Sequence, residues 1–209
     1  MEIGVILVAA GEGSRFGGPK ALVELAGKTL LERSATALGS FADRVAVLRA
    51  PDLDRADLPG WTLVAGGARR RDSVAAGLAA LRPGSGIVLV HDAARPLLAQ
   101  EVVARVAEAA AHAPAVIPVV PVTDTIKRVE GDRVVETPDR ATLVAVQTPQ
   151  AFRVDVLRRA LEAFDSDATD EAALVEALGV PILAVAGDPQ NMKITAPADL
   201  RVAAALLQA

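Results

Sequence analysis

Between residues 9 and 20 the chain reads Ala9-Ala10-Gly11-Glu12-Gly13-Ser14-Arg15-Phe16-Gly17-Gly18-Pro19-Lys20. Glycines at 11, 13, 17 and 18 let the backbone approach a ligand closely and turn through positive φ. Successive amide N–H groups in such a loop form a concavity for anions. Arg15 and Lys20 add two fixed positive charges beside it. The chemistry this combination suits is phosphate binding. Two other phosphate motifs are excluded by spacing. The dinucleotide fingerprint requires glycine where Phe16 stands, and in the Walker pattern the lysine must follow its glycine directly, whereas Pro19 separates Gly18 from Lys20.

Other chemistry-bearing residues lie further along. Asp92 follows His91 in His91-Asp92-Ala93-Ala94-Arg95. A lone carboxylate with phosphate oxygens and water is a common magnesium arrangement; taken alone, Asp92 reads rather as a cap or as a partner of Arg95. Lys193, in Asn191-Met192-Lys193, supplies a third cation. Gly66-Gly67-Ala68-Arg69-Arg70-Arg71-Asp72-Ser73 is a second glycine-rich turn, read either as a nucleotide contact or as a solvated basic turn entering a helix.

These residues need elements to hold them. Ile3–Ala9 is a β-branched run ended by glycines and reads as a strand buried on both faces. Strands are also expected at 44–48, 61–64, 86–92, 115–120, 142–147 and 181–186. Helices are expected at 30–38, 69–81, 100–111, 154–163, 171–178 and 197–207, the last with proline at its start. Alternating strands and helices predict an α/β fold, with a Rossmann-like, mostly parallel sheet flanked by helices. Such sheets bind ligands at the carboxyl ends of their strands. That places the first loop and Asp92 on one edge. Residues 125–136, two short β-branched, charged stretches around Glu130-Gly131-Asp132, predict a protruding β-hairpin arm and the one break in the alternation.

Composition sets the outer limits. A chain of 209 residues suits one domain, and 52% hydrophobic with 23% charged residues argues against disorder. The apolar runs are too short to span a bilayer, and no basic region precedes the first of them, so a cytoplasmic protein without membrane contact is expected. No cysteine is present, which removes disulfides and thiolate chemistry, and two histidines cannot build a multi-histidine cage. A net charge of −4 and an absence of tyrosine argue against nucleic acid as partner.

The pattern Ala9-Ala-Gly-x-Gly-x-Arg15-x-x-x-Pro-Lys20 resembles the signature of the sugar-phosphate nucleotidyltransferases. His91 to Arg95, Asp124-Thr125, Thr169-Asp170-Glu171 and Asn191-Met192-Lys193 narrow the resemblance to the 2-C-methyl-D-erythritol 4-phosphate cytidylyltransferase family, in order along most of the chain. The resemblance implies transfer of a cytidylyl group from CTP to that polyol phosphate in non-mevalonate isoprenoid synthesis; a ribitol 5-phosphate cytidylyltransferase is the runner-up. It implies Arg15, Lys20 and Lys193 as catalytic cations, and Ala9, Ala10, Gly11, Gly13, Gly67 and Ser73 as CTP contacts. It further implies Arg95, Thr125, Arg140, Thr148 and Thr169 as acceptor contacts, and Asp92 as ligand to Mg2+ or another divalent cation. The implied assembly is a homodimer joined through an arm at 124–140. His91 reads as structural, since an ionised phosphate needs no general base. Asp170 and Glu171 read as first-turn acids of a helix. Ala68 and Gln190 depart from the family pattern, which commonly carries an acid at each.

Overall fold

The computed structural model describes residues 2–165, 168 and 170–208. In chain order the elements are β1 (Glu2–Ala9), β2 (Glu24–Leu25), β3 (Lys28–Thr29), α1 (Leu30–Leu38), β4 (Asp43–Leu48), β5 (Thr62–Ala65), α2 (Arg70–Ala80), β6 (Ser85–Asp92) and α3 (Gln100–Ala110). There follow β7 (Ala115–Pro121), β8 (Arg128–Glu130), β9 (Arg133–Glu136), β10 (Val144–Val146), β11 (Gln150–Arg153), α4 (Val154–Ala163), α5 (Glu171–Ala177), β12 (Leu183–Ala186) and α6 (Pro197–Leu206).

The main sheet runs β5-β4-β1-β6-β11-β7, with β10 and β12 also on β7. β1, β4, β5 and β6 pair in parallel, as do β7 and β12, whereas β10 and β11 run antiparallel to their neighbours. The α/β expectation is met, and so is the hairpin, formed by β8 and β9. Two details differ. Residues 140–142 form a 3-10 turn and only 144–146 are strand, because Asp139 caps that turn through the Ala141 N–H at 3.0 Å. β11 is another break in the alternation: four residues between Pro149 and a helix that starts without a loop, too short to show a period.

Side chains of β1 alternate between two cores. Val5 and Leu7 pack with α1 and α3 through Leu31, Leu38, Val103 and Val106. Ile6 packs on the other face with Val74 and Leu78 of α2 and with Leu157 of α4. All are buried, so a strand apolar on both sides needs helices on both sides. The start of α1 is set locally: Thr29 Oγ1 accepts from the Glu32 N–H at 3.1 Å while Glu32 accepts from the Thr29 N–H at 2.6 Å. A third cluster, Leu25, Leu30, Ile194 and Ala203, seats α6 against the β2–β3 hairpin and fixes the chain just after Lys193.

Candidate active site

Parallel pairing aligns the carboxyl ends of β1 and β6, with Val8 opposite Asp92 and the Ala93 N–H donating to Val8 O at 2.9 Å. A cleft of about 330 Å³ opens there, within the range for small-ligand sites. Its walls are the first glycine loop, the turn before α2, the end of β6 and the chain around Lys193. Arg15, Lys20, Arg69, Arg70 and Lys193 line it against the acids Glu12 and Asp92. A chain of net charge −4 thus concentrates positive charge at one place.

The loop geometry follows from the sequence. After β1 the backbone curls through a 3-10 turn at Ser14–Phe16, and the N–H groups of Phe16 and Gly18 both donate to Gly13 O, at 2.8 and 3.1 Å. Gly13 has φ +64°, and a Cβ there would lie 2.0 Å from Gly18 O. At Gly67 the constraint is space, since a Cβ would lie 2.4 Å from the Asp72 Cβ. Gly11 is exposed with open space around it and no positive φ, so the expected conformational role is not needed there. Ser73 is buried on the cleft floor and donates to Arg69 O at 3.3 Å.

Lys20 is half-buried, with Nζ 6.0 Å from the Phe16 ring centre. Its ammonium is shifted down from its ordinary value, first by burial and then by the charges of Lys193 and Arg15. The three expected cations therefore sense one another in the folded chain. Lys193 Nζ lies 2.6 Å from Asp92 Oδ2. Its placement comes from Asn191, which is fully buried and donates to Thr148 O at 2.9 Å, and from the Ile194 N–H, which donates to Ala94 O at 2.8 Å.

Asp92 is buried, and each of its oxygens faces a cation: Oδ1 accepts from Arg70 Nη1, and Oδ2 meets Lys193. Burial alone would raise its carboxyl; Arg70 and Lys193 outweigh that and hold it well below the usual carboxylate range. Among the described residues, no three His, Asp or Glu side chains are placed to share a metal ion. One carboxylate, that of Asp92, would be available to a divalent cation whose other ligands came from phosphate oxygens and water. Gln190 is exposed and outside the cleft lining, with its N–H on Asp188 Oδ1 at 2.8 Å.

The residues implied for the acceptor are placed less simply. Thr148 is buried, and its hydroxyl accepts from the Asp92 N–H at 3.1 Å and meets His91 Nδ1 at 2.9 Å. His91 Nε2 meets Arg95 O at 3.1 Å, an acceptor only, so that nitrogen carries the proton and the Thr148 hydroxyl donates to Nδ1. The one hydroxyl proton is thus committed inside the protein. Arg95 donates to Asn191 O at 2.7 Å and Val146 O at 3.3 Å, bracing the loops beside the cleft. Thr125 and Arg140 sit on the exposed arm, away from this cleft's lining, with Arg140 Nη1 donating to Thr123 O at 2.7 Å. Thr169 lies outside the described residues. Ala9 and Ala10 both line the cleft, Ala9 being buried, and so does Ala68.

Two residues of the charged network around Asp92 do not stand out in the sequence. Arg70 reads there as one of three arginines in a basic turn, and Glu171 as a helix-start acid. Asp170 does cap α5, through the Ala173 N–H at 3.0 Å, but Glu171 is buried against Arg70. Only the acid's burial could have flagged the pair, and burial is not written in a Thr-Asp-Glu triplet.

His91 carries a stability consequence. Burial pushes its imidazole down to about 4 from the ordinary 6.5, so it is neutral in the folded chain at neutral pH. The unfolded chain binds the proton first, so this stability is fully present above pH 6.5 and is lost as pH falls toward 4. The loss amounts to about 3 kcal/mol. Urea unfolding of the wild type and of His91→Asn across that window checks it, because the other titrating groups are common to both. The wild type loses stability more steeply on acidification; parallel profiles would remove His91 as the cause.

A glycine loop and converging cations at the carboxyl edge of a mostly parallel sheet match the arrangement expected of the nucleotidyltransferase class. Comparison with known proteins makes this specific. The family model for 2-C-methyl-D-erythritol 4-phosphate cytidylyltransferase matches residues 3–209. The chain belongs to that family. It is 48% identical to the Frankia casuarinae enzyme of that name, over 99% of this chain and 81% of the relative, and 45% identical to the Corynebacterium efficiens one, over 97% and 92%. The crystal structure of the Thermus thermophilus cytidylyltransferase superposes over the full length of both chains, with a TM-score of 0.86 and 39% identity.

Proposed function

We propose that this cleft is where a cytidylyl group passes from CTP to 2-C-methyl-D-erythritol 4-phosphate, the reaction of the family to which the chain belongs. A phosphate oxygen of the acceptor attacks the α-phosphorus of CTP, the bond from that phosphorus to the bridging oxygen breaks, and pyrophosphate leaves. The observation that carries the assignment is the convergence of Arg15, Lys20 and Lys193 on a glycine loop at the sheet's carboxyl edge.

Two anions must meet, and each pair of unit charges at ~4 Å repels by about 4 kcal/mol at an effective dielectric near 20. Cations placed beforehand offset that repulsion and also meet the charge that develops in the transition state. Arg15 suits a forked phosphate contact and Lys20 a compact one. Lys193 leaves Asp92 for phosphate. Ala9, Ala10, Gly11, Gly13, Gly67 and Ser73 surround the nucleotide, with small residues leaving room for the base. Asp92 would hold a divalent cation carried on the nucleotide, and that cation would neutralise phosphate charge.

The acceptor's remaining contacts come from the arm. Ile126, Val129, Val134 and Val135 are between 37% and 60% exposed, which suits an arm that packs on a second copy. The assembly is a homodimer in which residues 124–140 bring Thr125 and Arg140 to the neighbouring cleft, each copy acting as one catalytic domain. Thr148 and Arg95 hold the cleft's shape. Among the described residues no helix is long and apolar enough to cross a membrane.

Purified protein, magnesium, CTP and methylerythritol phosphate should release pyrophosphate, and no release would overturn the assignment. Comparing kcat/KM with ribitol 5-phosphate decides the acceptor. Arg140→Ala should raise KM for the acceptor by about tenfold and leave KM for CTP unchanged, with light scattering still giving the mass of a dimer. A selective loss of CTP affinity would place Arg140 in the wrong pocket.

A further inference from the structure

Three consecutive arginines open α2, and the middle one takes different partners from its neighbours. Arg69 and Arg71 both pair with Asp72 and Asp165, and Arg71 also donates to the carbonyls of Leu161 and Phe164. Arg70 turns into the cleft. Its Nε and Nη2 donate to the two oxygens of Glu171 at 3.0 and 2.9 Å, and its Nη1 donates to Asp92 Oδ1. With Lys193 on Asp92 Oδ2, a line of alternating charge runs Glu171, Arg70, Asp92, Lys193.

Lys193 is the most exposed member of that line. The side chains of Glu171, Arg70, Asp92 and Lys193 are 2%, 22%, 7% and 40% exposed. The inner end is a planar fork held at both edges by buried carboxylates, and the outer end is a flexible ammonium with a single partner in the line. An incoming phosphate can compete for Lys193 far more easily than for Arg70.

We propose that Arg70, clamped by Glu171, is a positioning residue for the transfer. It fixes the Asp92 carboxylate through one oxygen, so that Lys193 can leave the other oxygen for phosphate while Asp92 stays in place. Without Arg70, Lys193 becomes the remaining cation on a buried carboxylate and is held back from the reactants. The pair also joins α2 to α5, but a clip between helices would act on stability and not on turnover.

This proposal rests on the reaction assigned above, and wild-type turnover separates the two. A wild type that releases no pyrophosphate from CTP and methylerythritol phosphate overturns the assignment; an active wild type with an equally active Arg70→Gln overturns only the positioning role. The expected result for Arg70→Gln is a kcat at least about 10-fold lower, with KM for CTP within about threefold of wild type. Glu171→Gln lowers kcat in the same direction and adds nothing further in the Arg70→Gln background, since both act on Asp92 through one line. A KM for CTP shifted beyond that limit, or effects that multiply in the double variant, would overturn the proposal. If Arg70→Gln does not fold, the near-isosteric Glu171→Gln decides alone: reduced kcat with retained KM supports the role, and unchanged kcat ends it.

Discussion

Lys20→Ala should lower kcat by at least about 100-fold, the size of loss that follows removal of one electrostatic contact made in the transition state. The reason begins with the residue's unfavourable setting in the free protein. Burial, Lys193 and Arg15 all disfavour its charge, in that order, and Asp92 only partly offsets them. A side chain held where its neighbours repel it does not owe its position to stability. The variant should therefore melt within about 2 °C of wild type or slightly above it, while turnover collapses because the reactants lose a point charge where negative charge gathers. Steady-state pyrophosphate release and a thermal melt on the same preparation check both halves. Near-normal turnover would take Lys20 out of the mechanism.

That separation of stability from turnover also explains which parts of the molecule were legible from sequence. The buried run of β1, the helices with one apolar stripe and the glycine loop declare themselves because local pattern and tertiary role coincide. Lys193 declares itself through its motif, although its position depends on the buried Asn191 anchor two residues earlier. β11 does not, because Gln150 is 1% exposed in a central strand, a polar residue tolerated there because its Nε2 reaches Asp170 Oδ2 at 2.7 Å. Thr148 is the sharper lesson. A hydroxyl beside an implied phosphate site reads as a phosphate donor, yet the fold directs its proton to His91 Nδ1. Arg69, Arg70 and Arg71 are alike in sequence, and only the positions of Asp92 and Glu171 far along the chain set Arg70 apart from its neighbours. Side-chain identity states what a residue can donate or accept; the fold decides which of those bonds are left for a ligand.

Gly13→Ala tests the backbone half of the site, as Lys20→Ala tests the side-chain half. The added methyl would sit 2.0 Å from Gly18 O, and φ is +64°. Neither can be relieved by rotating a side chain, because the obstacle is backbone. The loop must reopen, and opening it pulls Gly18 N–H and Phe16 N–H off the Gly13 carbonyl they share. Arg15 lies within this turn and Lys20 just beyond it, so both cations shift with it. A displacement near 1 Å at a reacting centre costs about 100-fold in rate, and kcat/KM for CTP should fall by that order. Of the 13–18 turn only Phe16 touches a core, half-buried against the small cluster of Leu25, Leu30, Ile194 and Ala203, so the melting temperature should fall by no more than about 4 °C. A fold-wide destabilisation would mean that the turn is part of the scaffold. Unchanged kcat/KM would mean that the phosphates are bound by side chains alone, and that the amides of this turn contribute nothing.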